Sequence, residues 1–163
     1  MDHETSPKRQ PPGYVPWLPL GQKVFTSKTG LLILLEILCC AVVWALLAAS
    51  RLPRAFHAYQ GFCMFVPVFL FVASLVQLLL YATRVPERAQ LPWSFLDAVF
   101  YIVATFLFFG ASVLQANLMV FNDVESYSAI VYNLNIAASV ISFYTTLLYF
   151  ISAVVSVKRR TFY

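Results

Sequence analysis

Four long apolar runs, at about 30–50, 61–83, 93–117 and 128–157, take up most of the 163 residues and leave few folds open. Each reaches the ~20 residues that an α-helix needs to cross a bilayer core, at about 1.5 Å rise per residue. Backbone polar groups find no water in lipid, so only helices or closed barrels span it. A barrel would show alternating segments of about ten residues. The runs here are continuous, as in Gly30-Leu31-Leu32-Ile33-Leu34-Leu35, which selects helices. The expected fold is an all-α membrane protein, a four-helix transmembrane bundle. Charged residues make up only 11% of the chain, against about 25% in soluble domains. The connectors are too short for a second folded domain.

The basic residues follow the membrane. Lys8, Arg9, Lys23 and Lys28 precede the first run, Arg84 and Arg88 lie between the second and third, and Lys158, Arg159 and Arg160 follow the fourth. The other two connectors hold only Arg51 and Arg54. By the positive-inside rule, both termini and the middle loop are expected to be cytoplasmic. An odd number of spans would separate the two basic ends. The net charge of +4 is thus a topology signal and not a nucleic-acid one.

Residues 1–22 read as a disordered, proline-rich cytoplasmic tail, 23–157 as the four-span domain and 158–163 as a basic cytoplasmic tail. Pro11-Pro12-Gly13-Tyr14 has the spacing that WW domains bind in polyproline II form, which makes Pro11, Pro12 and Tyr14 a candidate ligand. Lys158, Arg159 and Arg160 suit anionic headgroups as a cytoplasmic anchor. The first run is too long for a cleaved signal peptide and reads as a signal anchor. Cys39 and Cys40 adjoin within it and Cys63 stands in the second run, so they read as small packing residues. A bridge from either to Cys63 is the alternative.

Polar groups inside the runs are the informative residues. Glu36 lies about 9 Å into the first span. A charged carboxylate there costs several kcal/mol, so Glu36 is expected to face the bundle and find a partner or stay protonated. Gln77, Asp97 and Tyr101 approach a similar depth and are expected to meet it in an inner-leaflet polar layer. Ser94 and Asp97 have capping-box spacing at the head of span three. Span three repeats Asp97, Tyr101, Ala104, Phe108, Ala111 and Gln115 along one helical face, and span four repeats Asn135, Ser139, Ser142, Thr146, Tyr149 and Ala153. Small and polar stripes of this kind drive helix association in lipid. Gln115 and Asn135 are candidates for a second layer in the outer leaflet. These layers read either as interhelical hydrogen bonds, about 0.6 kcal/mol each on average, or as a proton or ion path. One intramembrane acid without an intramembrane Lys, Arg or His favours the first.

Enzymatic chemistry is not expected. His3 falls in the tail and His57 in the first outer loop, and no metal-ligand spacing, phosphate loop or nucleophile set is present. No catalytic, cofactor-binding or metal-binding residues are assigned, and no cofactor is expected.

Several segments, in order, resemble the MAL family of myelin and lymphocyte proteolipids, four-span proteins of the MARVEL architecture. They are Val24-Phe25-Thr26 before the run with Glu36, Val43-Trp44, Gln60-Gly61 with Met64-Phe65-Val66, and Leu96-Asp97-Ala98. Ala111-Ser112-Val113-Leu114-Gln115, Asn135-Ile136-Ala137-Ala138 and Thr146-Leu147-Leu148-Tyr149 follow. Phe62 stands where the family usually has Trp, Pro67 is an addition to span two, and the C-terminal Lys158–Tyr163 departs from the family's short sorting tail. The resemblance implies membrane organisation: partition into cholesterol- and glycosphingolipid-rich rafts, vesicle trafficking, apical sorting or myelin-type assembly. The implied partners are those lipids and membrane-protein cargo, with self-association open, and the implied location is plasma membrane and trafficking vesicles. The alternatives are a small transporter or channel using Glu36, Gln77 and Asp97, and a junctional adhesion protein, for which the first outer loop is small.

Overall fold

Ser27 starts the first long helix. Its hydroxyl accepts the Gly30 N–H at 3.1 Å and donates to the Val24 carbonyl at 3.1 Å, closing an N-cap over a 3-10 turn at Gly21–Val24. In this computed structural model the described residues are 21–50, 57–88, 92–121 and 128–161. Expectations placed on Pro11, Pro12, Tyr14, Arg51 and Arg54 lie outside them. The helices are Lys28–Ala49 (α1), His57–Ala82 (α2), the single turn Val85–Arg88 (α3), Trp93–Phe121 (α4) and Ala129–Thr161 (α5). Those labelled α1, α2, α4 and α5 are long and apolar enough to cross a membrane.

The turn at Gly21–Val24 folds back onto α1 because residue 30 is glycine. A Cβ there would lie 1.5 Å from the Val24 carbonyl oxygen. This close approach buries Val24 completely, against a cluster of Ile33, Leu78 and Tyr81.

Local chemistry also sets the other ends. α2 runs unbroken through the buried Pro67; a missing N–H is tolerated in spanning helices where neighbours cover the bend. It stops at Ala82, and two residues on Arg84 has a left-handed φ of 57° and an N–H that reaches the Tyr81 carbonyl. The Pro92 carbonyl accepts from the Phe95 and Leu96 amides at the start of α4. Ser94 therefore lies inside the first turn, not at the cap, and the expected Ser94–Asp97 capping box does not form: Asp97 is engaged by other helices. His57 opens α2 instead of standing in a loop, and α5 carries the basic Lys158 and Arg159 in its last turns.

The four long helices form a ring in the order α1, α2, α4, α5 and back to α1. The α4–α5 interface is the most extensive and the α2–α4 interface the thinnest. Neighbours are antiparallel: Ser50 at the end of α1 bonds Asn135 near the start of α5, and Gln77 late in α2 bonds Asp97 early in α4. This is an up-down-up-down bundle. Ala104, Ala111, Ala138 and Ser142 are buried in it, and small side chains of this kind let helices approach closely in lipid. Large apolar side chains such as Phe65, Phe106 and Ile130 face outward.

Candidate functional site

The stripes foreseen on α4 and α5 are buried at all twelve positions. Their polar members meet groups from α1 and α2, forming hydrogen-bonded levels along the bundle axis.

At the end where Lys28 and Thr161 lie, Asp97 is the centre. Its Oδ1 accepts from Gln77 Nε2 at 2.6 Å and from the Tyr81 hydroxyl at 2.5 Å, and its Oδ2 accepts from Ser156 Oγ at 2.7 Å. Gln77 and Tyr81 stand one turn apart on α2 and so share a face. Gln77 Nε2 also reaches the Tyr81 oxygen at 3.3 Å, while Gln77 Oε1 is buried without a partner. The Arg159 guanidinium donates to Thr29 Oγ1, tying α5 to α1 at the same end.

Just inside is a polar cavity of about 10 Å³, lined by Thr29, Asp97, Tyr101, Ser152, Ser156 and Arg159 among others. That is close to the lower limit for one water molecule. Glu36, fully buried, accepts from Ser152 Oγ through Oε1, and its Oε2 has no partner.

The middle level belongs to Tyr149. Its hydroxyl lies 3.4 Å from Cys40 Sγ and 3.0 Å from Ser74 Oγ, and its ring stacks on Phe108 at 5.7 Å. One side chain of α5 thus touches α1, α2 and α4. Cys39, Cys40 and Cys63 are all free thiols, so the Cys39 or Cys40 to Cys63 bridge does not form. Ser112 and Thr146 link α4 to α5 at 3.3 Å one level further on.

At the opposite end, Asn135 Oδ1 accepts from Gln115 Nε2 at 2.7 Å and Ser50 Oγ at 3.1 Å. Asn135 Nδ2 donates to the Val131 carbonyl at 2.8 Å. Gln60 Nε2 donates to the Ser50 carbonyl at 2.5 Å, bringing α2 into the level.

The residues singled out in the sequence are therefore distributed as follows. Gln77 and Asp97 bond directly and Tyr101 shares a small cavity with Asp97, but Glu36 pairs with Ser152 separately. Gln115 and Asn135 bond directly. Ser142 returns its hydroxyl to the Ala138 carbonyl of its own helix, and Ser139 is buried. Lys158 is exposed and Arg159 half-buried, and Arg160 sits in the last turn of α5 with its side chain outside the described residues. Sequence reasoning missed Tyr81, Ser156, Ser152, Ser74, Ser50 and Gln60. Two signals were available: Tyr81 is four residues from Gln77, and the α5 stripe continued by one step reaches Ser156.

Chemically, the arrangement cross-links helices. Each level joins groups from at least two of them, and the carboxylates accept from hydroxyls and amides. Among the described residues no group of three or more His, Cys, Asp or Glu side chains could hold a metal ion.

Residues 24–155 match the MARVEL family, described as a membrane-associating domain. The chain is similar to Myelin and lymphocyte protein from Canis lupus familiaris, 38% identical over 142 residues, covering 87% of this chain and 90% of that protein. The Homo sapiens protein of the same name is 37% identical over the same shares. MARVEL domain-containing protein 1 of Xenopus laevis is 38% identical over 127 residues, 77% of this chain and 72% of that protein. No solved structure gives a significant match. With its match running from before α1 into α5 and these relatives aligned along most of its length, the chain belongs to the MAL family of MARVEL-domain multi-pass membrane proteins.

Proposed function

We propose that this protein is a membrane-organising proteolipid of lipid rafts. It acts in vesicle trafficking, apical sorting or myelin-type membrane assembly, in the plasma membrane and trafficking vesicles. Its partners are cholesterol, glycosphingolipids and membrane-protein cargo. Both termini and the turn at Val85–Arg88 face the cytoplasm in this reading, which follows from the basic residues at that end.

The observation that carries the proposal is the division of the helix surfaces. Polar side chains turn inward and bond one another, while bulky apolar side chains cover the outside. What such a bundle presents to its surroundings is a lipid-matched surface about the length of a bilayer. α5, with 33 residues, would measure about 50 Å, longer than a hydrocarbon core of about 30 Å. A long span suits the thicker, sterol-rich bilayer or tilts in a thinner one. Relatives named for myelin and lymphocytes support the same reading.

The test is partition of the reconstituted full chain in phase-separating vesicles of sterol, sphingolipid and unsaturated phospholipid. Enrichment in the ordered phase is expected. Confinement to the sterol-poor, disordered phase would overturn the proposal.

A second reading, a small transporter or channel using Glu36, Gln77 and Asp97, draws on two buried acceptors without partners, Glu36 Oε2 and Gln77 Oε1. Proteoliposome flux of protons and small ions, for wild type and Glu36→Gln, decides it: flux abolished by the substitution supports transport, and no flux in either removes it.

A further inference from the structure

Glu36 is the only acid in α1, and it is fully buried. Its Oε1 accepts from the Ser152 hydroxyl of α5, and its Oε2 is buried without a partner. A carboxylate divides its charge between both oxygens and, when buried, needs donors at both. Asp97 has them, with two on Oδ1 and one on Oδ2. Glu36 has one donor in all, and an unpaired charge at its depth is costly. A neutral carboxyl fits the same contacts. Its Oε1–H donates to Ser152 Oγ, and Oε2 is left as an uncharged carbonyl oxygen.

The titratable groups around Glu36 do not supply the missing positive charge. Cys39 and Cys40 interact with it from α1, Asp97 and Tyr101 from α4, and Tyr149 from α5. None of these five is a cation. Tyr81 of α2 bonds Asp97, and Arg159 of α5 donates to Thr29. Lys23, Lys28 and Lys158 are exposed at the helix ends.

Ser152 joins Glu36 to the end where Lys28 and Thr161 lie. The same residue lines the polar cavity of about 10 Å³, with Thr29, Asp97, Tyr101, Ser156 and Arg159. That volume admits about one water, and the lining exceeds the roughly two to four polar partners a water needs. Thr29 and Arg159 are only half-buried, so the cavity lies close to the surface at that end. In the other direction the polar route stops. One turn beyond Glu36, Cys40 packs into a buried cluster with Val66, Leu70, Ala104 and Phe108.

We propose that Glu36 is a binding site for one exchangeable proton, loaded from the Lys28 end through a water in this cavity and the Ser152 hydroxyl. A hydrated proton in the cavity gives one hydrogen to Ser152 Oγ as Ser152 gives its own to Glu36 Oε1. Water and serine are restored, the carboxylate becomes neutral, and release runs in reverse. The proton's occupancy then sets whether a charge stands between α1 and α5. The site does not depend on raft partition, and because it opens at one end it carries no ion across the bundle.

The experiment reconstitutes the full chain in phosphatidylcholine nanodiscs and follows carboxyl stretching by infrared spectroscopy as pH is changed. Expected is a neutral-carboxyl band at neutral pH, lost reversibly at alkaline pH, absent from Glu36→Gln and kept in Asp97→Asn. Ser152→Ala should keep the band and slow its response to a pH jump about tenfold, while Ser152→Thr keeps the wild-type rate. In sealed vesicles with the chain in one orientation, the band should follow pH on the Lys28 side alone. Should Ser152→Ala fail to fold, the Glu36→Gln difference and the sidedness still decide. A spectrum at neutral pH unchanged by Glu36→Gln would show a standing carboxylate and overturn the proposal. An unaltered rate in folded Ser152→Ala overturns the route. A response to pH on the opposite side also overturns it, in favour of a path through the bundle.

Discussion

Tyr81 donates its hydroxyl to Asp97 at 2.5 Å, across the interface where α2 and α4 otherwise touch least. With Gln77 on the same carboxylate, this bond holds α2 where apolar contact is sparse. Asp97→Ala would strip the acceptor from Gln77, Tyr81 and Ser156 together. Interhelical bonds in membranes average about 0.6 kcal/mol, and stranded buried donors add about 1–3 kcal/mol. A destabilisation of about 2–3 kcal/mol is expected in a mixed-micelle unfolding titration. A loss within about 0.5 kcal/mol would mean that other contacts hold α2.

At the other end, Asn135→Leu removes the acceptor shared by Gln115 and Ser50. Ser50 keeps a second acceptor in the Leu47 carbonyl, so the loss should be smaller, about 1–2 kcal/mol in the same titration. Unchanged resistance to unfolding would remove this level from the account of stability.

Gly30→Ala tests the turn at Gly21–Val24. The new Cβ cannot share space with the Val24 carbonyl, 1.5 Å away. The turn must lift, exposing a fully buried valine worth about 1.5–3 kcal/mol. Limited trypsin digestion should cut faster after Lys23, with helix content by circular dichroism unchanged. Equal digestion rates would contradict the close approach.

Glu36 offers a contrast between shape and charge. Glu36→Gln retains an oxygen for Ser152 Oγ and should change stability by less than about 1 kcal/mol. Glu36→Ala leaves both a cavity and an unpaired hydroxyl and should cost about 2–4 kcal/mol. Equal effects from the two would show that the carboxylate itself is needed.

The spans could be read from the sequence because lipid leaves the backbone one economical solution and the apolar runs are uninterrupted. Their ends were less clear: α4 extends to Phe121 and α5 to Thr161, since polar and basic residues continue a helix once its side chains reach the headgroups. The stripes on α4 and α5 were readable because each lies on one helix with a fixed period. The partners were not. Whether Glu36 meets Asp97 or Ser152 depends on how α1 is rotated and shifted against α5, and periodicity along one helix does not carry that information. Asp97 was misread locally for a similar reason. Its spacing from Ser94 suits a cap, but Pro92 supplies the carbonyl there and leaves the carboxylate free to reach across to α2 and α5.

α5 is the last of the four long helices to leave the ribosome, and it supplies Ser152 to Glu36, Ser156 to Asp97, Tyr149 to Cys40 and Ser74, and Asn135 to Ser50 and Gln115. Until it inserts, Glu36, Cys40, Ser74, Gln115 and Ser50 on the first three helices lack the partners that α5 brings. The arrival of that one helix then adds a partner at each level.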